Sequence, residues 1–292
     1  MTGASRNESM TWRPLDPRAA PNLVDARLQV HHAAQLATAL GIAYLLHEPD
    51  DSHTNLEWIA EIGALASRPV MGSSLMRVAV QFHPFAVLVL DERNAARSTL
   101  PLQGETIAQA AAWIRARIAE AGLDASLYTL DKHYTIPSHP VAGSGIFDAS
   151  NAAAFENLAR FYSDAAMVLE EIAAAAPNSD PVRCWPHHFD IAALLEVSPE
   201  LATAPRKTIS LGMEPGDDYY REPYFYASMY PSPSTDIERP PLEGNGEWHT
   251  RDWLGAVLPG SRLTTSTQQT QVEAFLSSAV KACTSLLNGT VR

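Results

Sequence analysis

Two hydrophobic periods alternate along this chain, and the order in which they come constrains the architecture more than any single motif does. Val24, Leu28, His32, Leu36 and Leu40 recur every four residues, the spacing of one helix face, with Gly41 near the expected end. His32 therefore falls on a buried stripe and needs a partner there. Thr106, followed three residues later by Gln109, reads as a capping box opening a helix with the stripe Ile107, Ala111, Ile114 and Ile118, closed by Gly122. The longest helix is expected over residues 151–176, with Phe155, Leu158, Tyr162, Leu169 and Ile172 inward and Pro177 as its stop. Thr267 is expected to cap a last helix carrying Val272, Phe275, Ala279, Cys283 and Leu286, ended by Gly289.

Between these lie runs of period two. Leu56, Trp58, Ala60 and Ile62 alternate with Glu57 and Glu61. Residues 77–82 and 85–90 read as two strands folded back at His83-Pro84, because proline cannot donate to a strand ladder. Further strands are expected at residues 98–102, 126–136, 182–197, 207–213 and 224–230.

Helices and strands thus arrive in mixed blocks and not in strict alternation. That order predicts an α+β fold: a mixed or antiparallel sheet packed against about four helices, in one large domain over residues 23–289. Residues 1–22, broken by Pro14, Pro17 and Pro21, read as a flexible N-terminal arm. Gly143 and Gly145 mark residues 142–150 as the place where a sub-boundary would fall. Residues 231–262, rich in Pro, Gly and Ser around Trp248 and Trp253, read as a long loop of the kind that carries function.

Composition narrows the function classes. Of 292 residues 46 % are hydrophobic, enough for a sizeable core. The net charge of −12 argues against nucleic-acid or anionic-membrane binding. No apolar run approaches the ~20 residues of a membrane span. Two cysteines rule out stapling by several disulfides, and the polar N-terminus lacks a signal-peptide core, so a cytoplasmic protein of bacterial type is expected. Phosphate loops, dinucleotide fingerprints, nucleophile elbows and HExxH zinc helices are absent from the sequence.

Two segments can carry chemistry. In Cys184-Trp185-Pro186-His187-His188-Phe189-Asp190, a continuous strand places His188 and Asp190 on one face, where an imidazole and a carboxylate can bond each other or aim at one ion. The ordinary alternative is a structural pair. The segment from Glu214 to Tyr230 holds five of the nine tyrosines. Tyr224 and Tyr226 share a face there, as a ligand wall or as a plain cross-strand ladder. Asp217 and Asp218 follow Gly216 in a turn, and either sit solvated or repel each other toward a raised pKa or a cation. His249, flanked by Trp248 in the long loop, could complete a ligand set if that loop folds over the sheet. The expected site is catalytic at His188, Asp190, Tyr224 and Tyr226. Its metal-ligating set is His188, Asp190, Asp217, Asp218 and His249, for one divalent zinc, iron or manganese ion.

The runs RLQVHHAAQL, the His-Pro bend, WPHHFDIA and EPYFYASMYP, in this order, resemble a bacterial family known only as a domain of unknown function. The resemblance covers residues 23–287. It implies a single α+β unit and brings no activity, cofactor or catalytic residue.

Two functions therefore stand side by side. One is a soluble enzyme or metal-binding protein acting on a small molecule in a His/Asp/Tyr-lined pocket. The other is a non-catalytic ligand-binding or interaction module whose polar cluster fixes one core packing.

Overall fold

The computed structural model describes residues 11–198, 206–264 and 266–289. Among the described residues, four helices and two six-stranded antiparallel sheets make one α+β domain around a shared hydrophobic core. The first sheet comprises β1 (Glu57–Ile59), β2 (Ala64–Ala66), β3 (Val70–Met71), β4 (Leu75–Gln81), β5 (Ala86–Leu90) and β6 (Ala96–Pro101), in the order β1-β2-β4-β5-β6 with β3 beside β4. The second comprises β7 (Arg183–Trp185), β8 (Asp190–Ser198), β9 (Lys207–Glu214), β10 (Tyr224–Tyr230), β11 (Glu247–His249) and β12 (Gly255–Pro259), in the order β11-β12-β10-β9-β8-β7.

Helix α1 (Val24–Tyr44) is buried on nearly every side from Ala26 to Gly41, so it is a central helix and not a surface one with a single apolar stripe. It packs on β4, while α3 (Ala152–Ala175) covers β8 and α4 (Gln268–Leu287) covers β10. Gly41 does not end α1. It lies against the carbonyl of His53, which a Cβ would meet at 2.5 Å, so the glycine admits a close backbone approach. The capping box forms as read: the Thr106 side chain accepts from the Gln109 backbone N–H at 3.2 Å and opens α2 (Ile107–Glu120). His32 finds its partner in the Pro137 carbonyl, 3.0 Å from Nε2.

Several expectations are corrected. Residues 56–62 give only β1 before a turn. Residues 126–136 form no strand: a short 3-10 turn (Ala125–Leu127) leads into irregular chain that crosses α1. The long loop over 231–262 contains β11 and β12, which extend the second sheet beyond β10; each is too short to show a period in the sequence. Thr267 stands at the N-cap of α4, yet its side chain makes no capping bond. Of the arm expected at 1–22, residues 1–10 lie outside the described residues. Leu15 is buried, with both its backbone groups held by the Gln268 side chain at 2.8 and 2.9 Å. No helix among the described residues is long and apolar enough to cross a membrane.

Candidate functional site

A cleft of about 750 Å³ lies between the first turns of α1, the chain at 135–138, the β7–β8 turn and the loop after β9. Its polar lining includes Arg27, His31, His187, His188, Glu214, Asp217, Asp218 and Arg221.

The register of the second sheet explains how its carboxylates come together. β8 pairs with β9 so that Ile191 faces Met213, and β9 with β10 so that Glu214 faces Tyr224 and Gly212 faces Tyr226. The even-numbered side chains Asp190, Glu214, Tyr224 and Tyr226 therefore share one face. Glu214 lines the cleft, and the other three stand behind it. Gly212 has no side chain to separate Tyr226 from the strand beyond: a Cβ there would meet the Tyr226 ring at 2.5 Å. The ring lies over the glycine, and its hydroxyl donates to Asp190 Oδ2 at 2.5 Å. Asp190 Oδ1 is buried without a partner. Burial raises the pKa of Asp190, against the Tyr226 hydrogen bond. Burial pushes the Glu214 pKa well above the ordinary carboxylate range, reinforced by Asp190 and then Asp217 and opposed by Arg27, so its charged form is disfavoured.

Asp217 spends its acceptors on its own turn. Oδ1 accepts from the backbone N–H groups of Tyr219 and Tyr220 at 2.8 and 2.7 Å, and Oδ2 from the Tyr224 hydroxyl at 2.9 Å. Asp218 is exposed at the cleft mouth.

The expected continuous strand over 182–197 is broken. Residues 186–189 form a turn between β7 and β8, closed by the Phe189 N–H donating to the Trp185 carbonyl at 2.6 Å, and Phe189 adopts φ +72°. A left-handed residue ends the two-residue repeat, so His188 leaves the strand and stands exposed on the cleft wall. The turn is seated on α1. His31 stacks on Phe189 with centroids 4.6 Å apart and donates from Nε2 to the Pro186 carbonyl at 2.9 Å. Burial pushes the His31 pKa down to about 3, so this imidazole is neutral.

The expected residues thus divide. His188, Asp217 and Asp218 line the cleft, Asp190, Tyr224 and Tyr226 back it, and His249 lies apart. His249 Nε2 donates to the Arg251 carbonyl at 2.6 Å, Nδ1 bonds the Tyr220 hydroxyl at 3.0 Å, and the ring stacks on Trp253 at 4.4 Å. Among the described residues, no three ligand atoms of His188, Asp190, Asp217, Asp218 and His249 lie within 4.8 Å of one another. The donors of Asp217 and His249 are already taken.

Sequence reasoning passed over the residue that dominates the floor. Arg27 is only 8 % exposed, its Nε is buried without a partner, and its guanidinium makes no hydrogen bond or ion pair among the described residues. Burial lowers its pKa, while Glu214, Asp217 and Asp218, too far for contact, raise it. The signal was present: Arg27, His31 and Gln35 follow one another at four-residue spacing, a polar stripe along a helix otherwise full of alanine and leucine. Gln35 Nε2 adds a 3.0 Å bond to the Pro186 carbonyl, so the stripe runs from the β7–β8 turn to an unpaired cation.

No curated protein and no solved structure matches the chain. A family model does, over residues 21–289, which takes in all four helices, both sheets and the whole cleft: the chain belongs to the family of unknown function DUF5996.

Proposed function

We propose that the cleft binds a small molecule bearing a carboxylate or phosphate-type anion, and that the protein is an enzyme acting on it. The observation that carries this reading is Arg27, a largely buried residue in the cleft lining whose Nε is buried without a partner and whose guanidinium makes no hydrogen bond or ion pair among the described residues. A buried donor without an acceptor costs free energy, about 1–3 kcal/mol and more when charged, so it is retained where a ligand completes it. A guanidinium offers a planar fork that matches a carboxylate or phosphate with two parallel bonds. The acidic neighbours form no ion pair with it: burial disfavours the charged form of Glu214, and Asp217 is committed to its turn and to Tyr224.

The chemistry at hand is proton transfer. Glu214 lines the cleft with its protonated form favoured by burial and can donate, and His188 is an exposed imidazole on the wall that can accept. Asp190, Tyr224 and Tyr226 share the sheet face of Glu214 and back the cleft. The test is a thermal-shift series with phosphate, sulfate and short mono- and dicarboxylates on the wild type and on Arg27→Met. Stabilisation of the wild type by at least one anion class, absent in Arg27→Met, supports the reading. Equal response of both proteins sinks it.

A second reading, a non-catalytic binding module, draws on the saturation of the tyrosine hydroxyls. Those of Tyr220, Tyr224 and Tyr226 are all bonded within the protein. The two readings part on the fate of a bound anion. Followed by NMR, it is converted by the wild type and only bound by Glu214→Gln if the protein is an enzyme, and it is unchanged by both if it is a binding module.

A further inference from the structure

A second cluster lies at the other end of the chain segment that walls the cleft. After α1 the chain runs His47-Glu48-Pro49-Asp50-Asp51-Ser52-His53, and the ligand-type atoms of His47, Asp51 and His53 all lie within 4.8 Å of one another. Among the described residues this is the one group of three or more metal-ligating side chains so placed. Asp51 reaches this position through a left-handed backbone, φ +61°, which folds the loop back on itself. The His47 and His53 rings meet edge to face at 5.0 Å.

A fourth donor comes from far along the sequence. His133 Nε2 lies 2.9 Å from Asp51 Oδ2 across 82 residues of chain. We propose that His47, Asp51, His53 and His133 form a binding site for one divalent transition-metal ion of the zinc class, separate from the cleft.

Three imidazoles and one carboxylate are a donor set suited to zinc, whose bonds of roughly 2.0–2.2 Å set tetrahedral ligands about 3.4 Å apart. His47, Asp51 and His53, already within 4.8 Å of one another, close to that spacing by rotamer changes, and His133, outside that group but bonded to Asp51, swings in as the fourth ligand. His53 is 7 % exposed, so one ligand is already fixed by packing, while His47 and His133 are exposed and free to close. The ring of His53 accepts one hydrogen bond, at Nδ1, from the Glu48 N–H at 3.3 Å. A metal on Nδ1 replaces that bond. A metal on Nε2 moves the ring proton to Nδ1 and removes it as well. The bond is long, so either route loses little. His133 stands two residues before Thr135, where the cleft wall of 135–138 begins, so an ion here ties that wall to the loop after α1.

The test is titration of tag-free protein with Co²⁺, read by the visible absorption of a four-coordinate site and by displacement with Zn²⁺. The proposal expects one Co²⁺ per chain, displaced by Zn²⁺. His47→Ala and Asp51→Asn should each weaken binding at least tenfold while thermal unfolding shows both still folded. His133→Ala should weaken it less, and His188→Ala should leave it unchanged. Failure of the wild type to bind would overturn the proposal, as would undiminished binding by both His47→Ala and Asp51→Asn, or loss of binding in His188→Ala.

Discussion

The Tyr226 hydroxyl reaches Asp190 by lying across Gly212, and this one bond is all that satisfies a buried carboxyl whose second oxygen has no partner. Tyr226→Phe should therefore cost about 1–3 kcal/mol in urea unfolding, because it orphans the acceptor and removes no apolar area. Gly212→Ala should cost at least as much through a different route, since its new methyl group occupies the space of the ring. Additivity in the double variant would show that the two act separately; the shared bond predicts a double variant little worse than Gly212→Ala alone.

Arg27→Met is expected to keep or raise stability in the absence of ligand. An unpaired buried charge contributes nothing that an apolar chain of similar length does not, and its desolvation is relieved. Equilibrium unfolding in a buffer free of phosphate and carboxylate measures this. A loss of more than about 3 kcal/mol, the scale on which buried pairs break, would mean that Arg27 is partnered after all.

Asp164 gives a pH signature remote from the cleft. Burial pushes its carboxyl up to about 7, opposed first by the bond from the Arg13 backbone N–H, and its Oδ2 has no partner. The folded state holds a proton there that the unfolded chain releases near the ordinary aspartate value. This contribution to stability is complete below about pH 4 and is lost as pH rises through 7. Asp164→Asn, neutral at every pH, should flatten the decline between pH 5 and 8 that the wild type shows in thermal unfolding. An identical slope in the two proteins would refute the assignment.

His31 works in the opposite direction. Its imidazole is pushed down to about 3 by burial, so the folded state binds fewer protons than the unfolded chain between that value and about 6.5. Its stability is present above pH 6.5 and lost as the pH falls toward 3. His31→Gln, which can still donate to the Pro186 carbonyl, should lose less stability than the wild type between pH 6.5 and 4.5.

The sequence carried the fold where periods were long enough to count. The capping box at Thr106 and the helix over 152–175 came through nearly residue for residue. The His-Pro bend falls between β4 and β5, as the proline required. The strands β11 and β12 were hidden because three and five residues among prolines and glycines show no alternation. At the site, strand parity placed Tyr224 and Tyr226 on one face correctly. It failed at His188 because the left-handed Phe189 breaks the repeat one residue before β8 begins. Glu214 escaped notice because a charged residue alone in a sequence reads as solvated surface, and only packing reveals that it is buried, whereas Arg27 was legible in its four-residue stripe with His31 and Gln35.

Whether Arg27 holds an anion in the cleft is decided by a crystal structure of the protein with the anion that stabilises it best. That anion should lie within about 2.7–3.2 Å of the Arg27 guanidinium, its far side toward Glu214 and His188. An anion bound elsewhere, or an Arg27 paired directly with Glu214 or Asp217 in the liganded protein, would contradict it.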